Sequence, residues 1–474
     1  MITNFLSRFG AALGVLLFVL WSSWARGGSS PYYLWALPWI SLLTFELMFT
    51  LPPRHYGESP RSAVRHLLKR IVRDPVFYFG LALLLFLLIQ WLNGPRELEW
   101  IAADSEWRFT DPPIPDLPSC VDQDGAKQVL LWFVAVFTAV IAVRNSSNQP
   151  AKLFILRAFC INGALLAILG MAQAAWSPHK LFWYRPMLDQ FFSTFGYPNH
   201  AGAFFCLVSA VNMGLLIRAL AMIDEENHPI LYSVTLVLNI LATYLSLCRA
   251  AIVLETLLII VGLVYGCIYL FPRIGGPGIT KIIASVVVIF LCLGYMAIKV
   301  GDFSKEVKTI NHDSLSSVYT GDRELLADCA VKIWQDNPWP GVGGWGFRHH
   351  IGLYVPKSQW PMLRQRGKAN VHNDFLQFLC EHGAIGGGLM LSIVIAILVH
   401  LIWNLAHMKR VFNQNTDKPS TWFGSLPPTV VMSILGLACT VVHSTIDLPF
   451  RSTAILITWF VVLACLPGLI RLRD

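Results

Sequence analysis

The sequence predicts an all-α polytopic integral membrane protein, and three observations carry the prediction. Apolar residues make up 55% of the 474-residue chain and charged residues only 14%, a balance outside the soluble globular range. The apolar residues fall into about twelve stretches, near the length of about 20 residues that a helix needs to cross a bilayer. The first polar segments between them alternate between basic and acidic, as loops on opposite sides of a membrane do.

In chain order the stretches are 9–24, 32–51, 76–92, 128–143, 153–175, 199–219, 230–247, 250–270, 282–299, 384–403, 427–446 and 453–470. The first is followed by VLWSSWARGG, which has no convincing small-x-small cleavage site, so it reads as an uncleaved anchor. The loop after the second carries Arg54, Arg61, Arg65, Lys69, Arg70 and Arg73. The loop after the third carries Glu97, Glu99, Asp104, Glu106, Asp111, Asp116, Asp122 and Asp124. Arg144, Lys152, Arg157, Lys409, Arg410, Arg471 and Arg473 fall on the side of the basic loop. The positive-inside rule then puts both termini in the cytoplasm. The expected organisation is nine membrane helices over 1–299, an external loop domain over 300–383, and three more helices over 384–474.

The net charge of +8 comes from the inner loops and suits the anionic headgroups of a lipid bilayer. No basic-aromatic pattern points to nucleic acid. Ten cysteines are scattered singly with no CxxC, mostly inside spans, and read as small packing residues. Cys120, Cys329 and Cys380 lie outside the spans, and the sequence leaves open whether any of them pair.

The expected external segments are 94–127, 176–198, 300–383 and 447–452. The third is too long for a connector and is rich in tryptophan, glycine and helix signals. Within it GDRELLADCAVKIWQDNP reads as a helix, with Asp322 as candidate N-cap, a stripe through Leu325, Leu326, Cys329, Ile333 and Trp334, and Pro338 past its end. WPGVGGWGF is a glycine-rich turn that lets backbone approach another group closely. Asn373 can cap a short helix through His382, with Gly383 at its C-terminal position, and His372 then stands just ahead of a helix start. From Ile230 to Leu270 the chain is almost continuously apolar, broken chiefly by Arg249 and Glu255. An arginine at the edge of a span has a partner, such as Glu255, or a job.

The external candidates are Arg185, Asn199, His200, Arg249, Arg323, His372, Asn373, His443, Asp447 and Arg451. His443 and Asp447 are four apart and would share a helix face. Polar side chains from many helices at one depth suggest a cavity open to the outside. Arginine's rigid, permanently charged fork suits phosphate oxygens, and histidine can take a proton from a hydroxyl near neutral pH. A membrane-embedded diphosphate, such as a lipid-linked sugar, needs both. The DQD at 122–124 resembles a metal-binding DxD, and the adjacent His349 and His350 make a poor metal pair; no metal or other cofactor is expected.

GDRELLADCAVKIWQDNPWPGVGGWGF followed by HNDFLQFLCEHGAIGG resembles the signature of the O-antigen ligase and polymerase superfamily, as do FGYPNHAGAF and the CRA break upstream. The resemblance covers roughly 190–450. It implies a membrane-embedded (GT-C-like), inverting, metal-independent glycosyltransferase in a bacterial inner membrane, with its active face toward the periplasm. It implies an undecaprenyl-diphosphate-linked glycan as donor, Arg249 and Arg323 as its diphosphate ligands, and His372 as the catalytic histidine. Cys248 stands where the family pattern has serine. The acceptor stays open between lipid A-core, a growing glycan and a protein hydroxyl. A transporter is the alternative from another class, but the polar residues cluster outside the spans and no internal repeat is visible.

Overall fold

A backbone buried in hydrocarbon must satisfy its own hydrogen bonds, so apolar stretches of this length become helices. The structure, a computed structural model, describes residues 2–28, 33–53, 58–102, 105–177, 179–187, 190–222, 228–273, 316–356, 358, 360, 369–414 and 426–470. The expected ninth span, 282–299, lies outside the described residues, as do Arg54, Asp104, Arg471 and Arg473.

The chain runs α1 (Ile2–Trp24), α2 (Ala36–Thr50), α3 (Pro60–Arg73), α4 (Pro75–Leu92), β1 (Leu98–Ile101), β2 (Glu106–Phe109), α5 (Gln123–Ser146), α6 (Gln149–Trp176), β3 (Lys180–Leu181), β4 (Arg185–Pro186) and α7 (Pro198–Ala221). It continues with α8 (Pro229–Leu245), α9 (Arg249–Leu270), α10 (Ser316–Asp336), α11 (Phe347–Tyr354), α12 (Asp374–Gln414), α13 (Pro428–Ser444) and α14 (Thr453–Cys465). Six helices (α4, α5, α6, α7, α9 and α12) are long and apolar enough to cross a membrane, and five shorter apolar helices match the other described stretches. The chain is a multi-pass membrane protein.

Start signals are local. Asp74, Asp122 and Asn148 accept hydrogen bonds from Val76, Gly125 and Ala151 and cap α4, α5 and α6. Asp122 of the DQD is therefore a helix cap, and it also faces His349 Nε2 at 3.4 Å. Short connections make chain neighbours antiparallel. The starts of α5, α7, α9 and α14 and the ends of α4, α6, α8 and α13 thus share one end, called here the site end. The arginines of α3, with Arg144 and Lys409, gather at the opposite, basic end.

Helix α7 is the centre: 89% of its most apolar window is buried, against 22% for α12. Helices in lipid gain little from the hydrophobic effect and associate through close packing. Ala201, Gly202, Ala203, Ser209, Ala210 and Gly214 supply the small surface that lets α8, α9 and α13 approach α7. A Cβ on Gly202 would sit 2.7 Å from the Cβ atoms of Cys248 and Ala251. The start of α9 is thus pressed against α7.

Four expectations need correction. The protein is not purely helical: two short antiparallel ribbons, β1–β2 and β3–β4, lie at the site end. The basic loop holds the amphipathic α3, capped by Ser59 and burying Ala63, Leu67 and Ile71. Helix α10 begins at Ser316, so Asp322 is inside the helix and not its cap. The segment after WPGVGGWG, for which no element was expected, forms α11 over Phe347–Tyr354.

Candidate active site

The site is built around the turn between α13 and α14. Helix α13 stops at Ser444, and Pro449 opens a short 3-10 turn before α14. Asp447 lies in this turn and is 2% exposed. Its backbone N–H donates to the His443 carbonyl at 3.1 Å, an i→i−4 bond that carries the last helical turn of α13 to Asp447 and stacks it over His443.

The Asp447 carboxylate gathers donors from three segments. It accepts from the Tyr197 hydroxyl at 3.0 Å, from Asn199 Nδ2, and from the Leu448 N–H at 2.9 Å. His372 Nδ1 faces it at 3.4 Å. Burial opposes its charge, but the hydrogen bond and charge of His372 and the amide of Asn199 outweigh burial and hold this carboxyl well below the usual carboxylate range. Burial and the neighbouring Asp447 charge push the Tyr197 phenol up, which keeps it a donor.

His372 adopts φ +57°, a left-handed conformation uncommon outside glycine. Its neighbours fix that conformation. The Val371 N–H donates to Gln377 Oε1 at 3.1 Å, and Asn373 Oδ1 caps the helix by accepting from the Leu376 N–H at 3.0 Å. Asp374 Oδ2 accepts from the Phe450 N–H at 2.8 Å, which ties this helix start to the Asp447 turn. An imidazole whose Nδ1 donates to a carboxylate leaves an Nε2 lone pair for another proton. The His372 side chain is 25% exposed, and Nε2 has no hydrogen-bond partner among the described residues.

One arginine borders this dyad, and a second starts the helix whose cap residue reaches His443. Arg323, exposed on α10, donates to the Ile446 carbonyl at 3.4 Å. Arg249 is the exposed first residue of α9. No glycine or proline marks the α8–α9 junction; Leu247 turns it at φ +57°. Cys248 caps α9, its Sγ accepting from the Ala251 N–H at 3.5 Å and lying 3.7 Å from His443 Nε2. Arg249 is not paired with Glu255, which is fully buried six residues further along α9 beside Cys206 and Ser209.

The structure thus brings Asn199, His200, Arg323, His372, His443 and Asp447 to one turn. His200 Nε2 meets the Leu448 carbonyl at 2.9 Å, and Tyr197 stands at the N-cap position of α7. Three candidates stand apart. Arg185 lies on β4 beside Arg26. Asn373 is committed to its cap. Arg451 is ion-paired with Glu381 at 2.6 Å, and its guanidinium lies over the Trp345 ring, as does that of Arg348.

The glycine-rich segment has its partner here. Val342 and Gly343 donate to the Cys380 and Glu381 carbonyls, while Ala384 and Ile385 donate to Pro338 and Trp339. Gly341 at φ +67° and Gly383 at φ +62° make this backbone contact possible. Sequence reasoning missed Tyr197, Asp374, Glu381 and Trp345. Tyr197 lay inside the noted FGYPNHAG segment; the two acidic residues carried no signal beyond lying in an otherwise half-apolar helix.

The family model described as O-antigen ligase matches residues 234–391, a span that includes Arg249, Arg323 and His372. A search among curated proteins returns no match.

Proposed function

We propose, taking residues 234–391 as an O-antigen ligase domain, that the chain is a glycosyltransferase that moves a glycan from undecaprenyl diphosphate to an acceptor hydroxyl at the external face of the membrane. The observation that carries this reading is the His372–Asp447 dyad, with its Nε2 edge open and Arg323 at the adjoining Ile446 carbonyl.

In this reaction the acceptor hydroxyl attacks the anomeric carbon as His372 Nε2 takes its proton. The bond between that carbon and the diphosphate oxygen breaks, and its electron pair leaves with the lipid diphosphate. A single displacement of this kind inverts the anomeric configuration. Asp447 orients the imidazole and offsets the positive charge it gains. Arg249 and Arg323 offset the charge that grows on the leaving diphosphate. Lipid A-core is the acceptor we favour; a growing glycan or a protein hydroxyl would use the same geometry.

Cells carrying His372→Ala, and His372→Asn to respect the left-handed backbone, test the reading. Their lipid-linked glycan pool and finished surface conjugate are measured together. Long glycan on the carrier with loss of the conjugate marks a ligase, and accumulation of single repeat units marks a polymerase. Two unchanged pools overturn the reading.

A further inference from the structure

A wide cleft away from His372 has no part in the chemistry above. It holds about 880 Å³ between the β1–β2 ribbon, the end of α10 and the face of α11. Trp100 and Trp107 are cross-strand partners with ring centroids 5.6 Å apart, and each is half exposed. Two half-exposed indoles on a two-stranded ribbon stabilise little, since such ribbons are marginal on their own, and exposed apolar surface of this kind marks a contact. Trp360 lines the same cleft, together with Glu106, Arg108 and Asn337.

Flat aromatic faces interleaved with side-chain amide, carboxylate and guanidinium groups match one ligand chemistry. The C–H faces of pyranose rings pack on indoles, while their hydroxyls both donate and accept hydrogen bonds. Tryptophan also anchors proteins at bilayer interfaces. Here, however, Glu106 and Asp336 balance Arg96 and Arg108 in the cleft wall, so the cleft lacks the basic excess that draws anionic headgroups.

The cleft is also joined to the candidate active site. His350 and Tyr354 of α11 line it, and the His350 ring packs on Phe109 of the ribbon at 4.3 Å. From the same helix Arg348 donates to Asn370 Oδ1 at 3.0 Å, two residues before His372.

We propose that this cleft binds an oligosaccharide, several sugars of a glycan whose reacting end lies at His372. The ligand class rests on the glycan-transfer reading. The glycan is either the acceptor's saccharide or the outer part of the donor's, and both offer the same chemistry.

The test uses the full chain in lipid nanodiscs. The probes are two size-fractionated oligosaccharide pools released by mild acid from the host's envelope, one from the lipid-anchored core and one from the lipid-linked repeat units. Binding is read as the heat released on titration, which does not depend on the indoles being replaced. Trp100→Leu/Trp107→Leu keeps apolar side chains but removes both rings, and is expected to weaken binding of at least one pool by about tenfold or more. The pool affected identifies the source. Single Trp100→Leu and Trp107→Leu variants, each expected to show a partial loss, guard against misfolding of the pair. Unchanged affinity in the double variant overturns the proposal. So does quenching of the pair by brominated lipid with no response to either pool, which would make it a bilayer anchor. His372→Asn separates the two readings: it is expected to abolish transfer while binding oligosaccharide as the native chain does. Native protein that transfers glycan but binds neither pool would sink the cleft alone. Oligosaccharide binding by a native chain that transfers nothing would sink the function alone.

Discussion

Asp447 is a buried carboxylate that pays for its desolvation with donors from Tyr197, Asn199, the Leu448 N–H and His372. Its folded-state pKa is depressed. The stability it contributes is therefore fully present above the ordinary carboxylate value of about 3.9 and is lost only as pH falls through the depressed one. Asp447 stays ionised across any physiological range, so it always presents His372 with a negative partner. Under the proposed reaction, Asp447→Asn preserves the shape but not the charge that offsets the imidazolium. Turnover is expected to fall by about 10²- to 10⁴-fold with little change in KM for the donor, measured with purified protein and lipid-linked glycan. A KM effect without a turnover effect would make Asp447 a packing residue.

At the element scale the decisive piece is the break in α12 at Gly383, where the WPGVGG turn docks. A Cβ at Gly383 would meet the Trp339 carbonyl and carry φ +62°, so two penalties coincide. Gly383→Ala is expected to lower the thermal midpoint of the solubilised protein and reduce activity by displacing the helix start that carries His372. Gly388→Ala, in the same helix with nothing within 4 Å, is the control and is expected to be neutral or slightly stabilising. Helix α11 carries a pH effect. Burial pushes the His350 imidazole down to about 4 from an ordinary value of about 6.5. Between those values the unfolded chain takes up a proton that the folded one refuses, so stability is complete above the window and falls as pH drops through it. The thermal midpoint is expected to decline from pH 7 to 4.5, and His350→Phe, which keeps a ring against Phe109, is expected to flatten the slope.

At the scale of the whole molecule, the two candidate diphosphate ligands come from helices far apart in the chain. Arg249 and Arg323 are both exposed, so replacing them leaves the fold unburdened by a buried vacancy. Arg249→Ala/Arg323→Ala is expected to weaken binding of undecaprenyl diphosphate by about 10²-fold with an unchanged thermal midpoint, and undiminished binding would remove both from the proposed site. The sequence by itself determined the membrane class, eleven described apolar helices, the cap at Asn373 and the turn at Gly383, because hydrocarbon length, capping chemistry and positive φ are local constraints. Its motif order also singled out His372, Arg249 and Arg323 as the candidates carried into the proposed reaction. Only the tertiary structure decided that Asp447 partners His372, that Tyr197 completes that cluster, that Arg451 belongs to Glu381, and that a tryptophan-lined cleft forms between the β1–β2 ribbon and α11. Those contacts join residues 70 to 250 positions apart. They are fixed by which helix faces meet, and helix packing in lipid turns on small-residue fit around α7, not on a pattern any single segment displays.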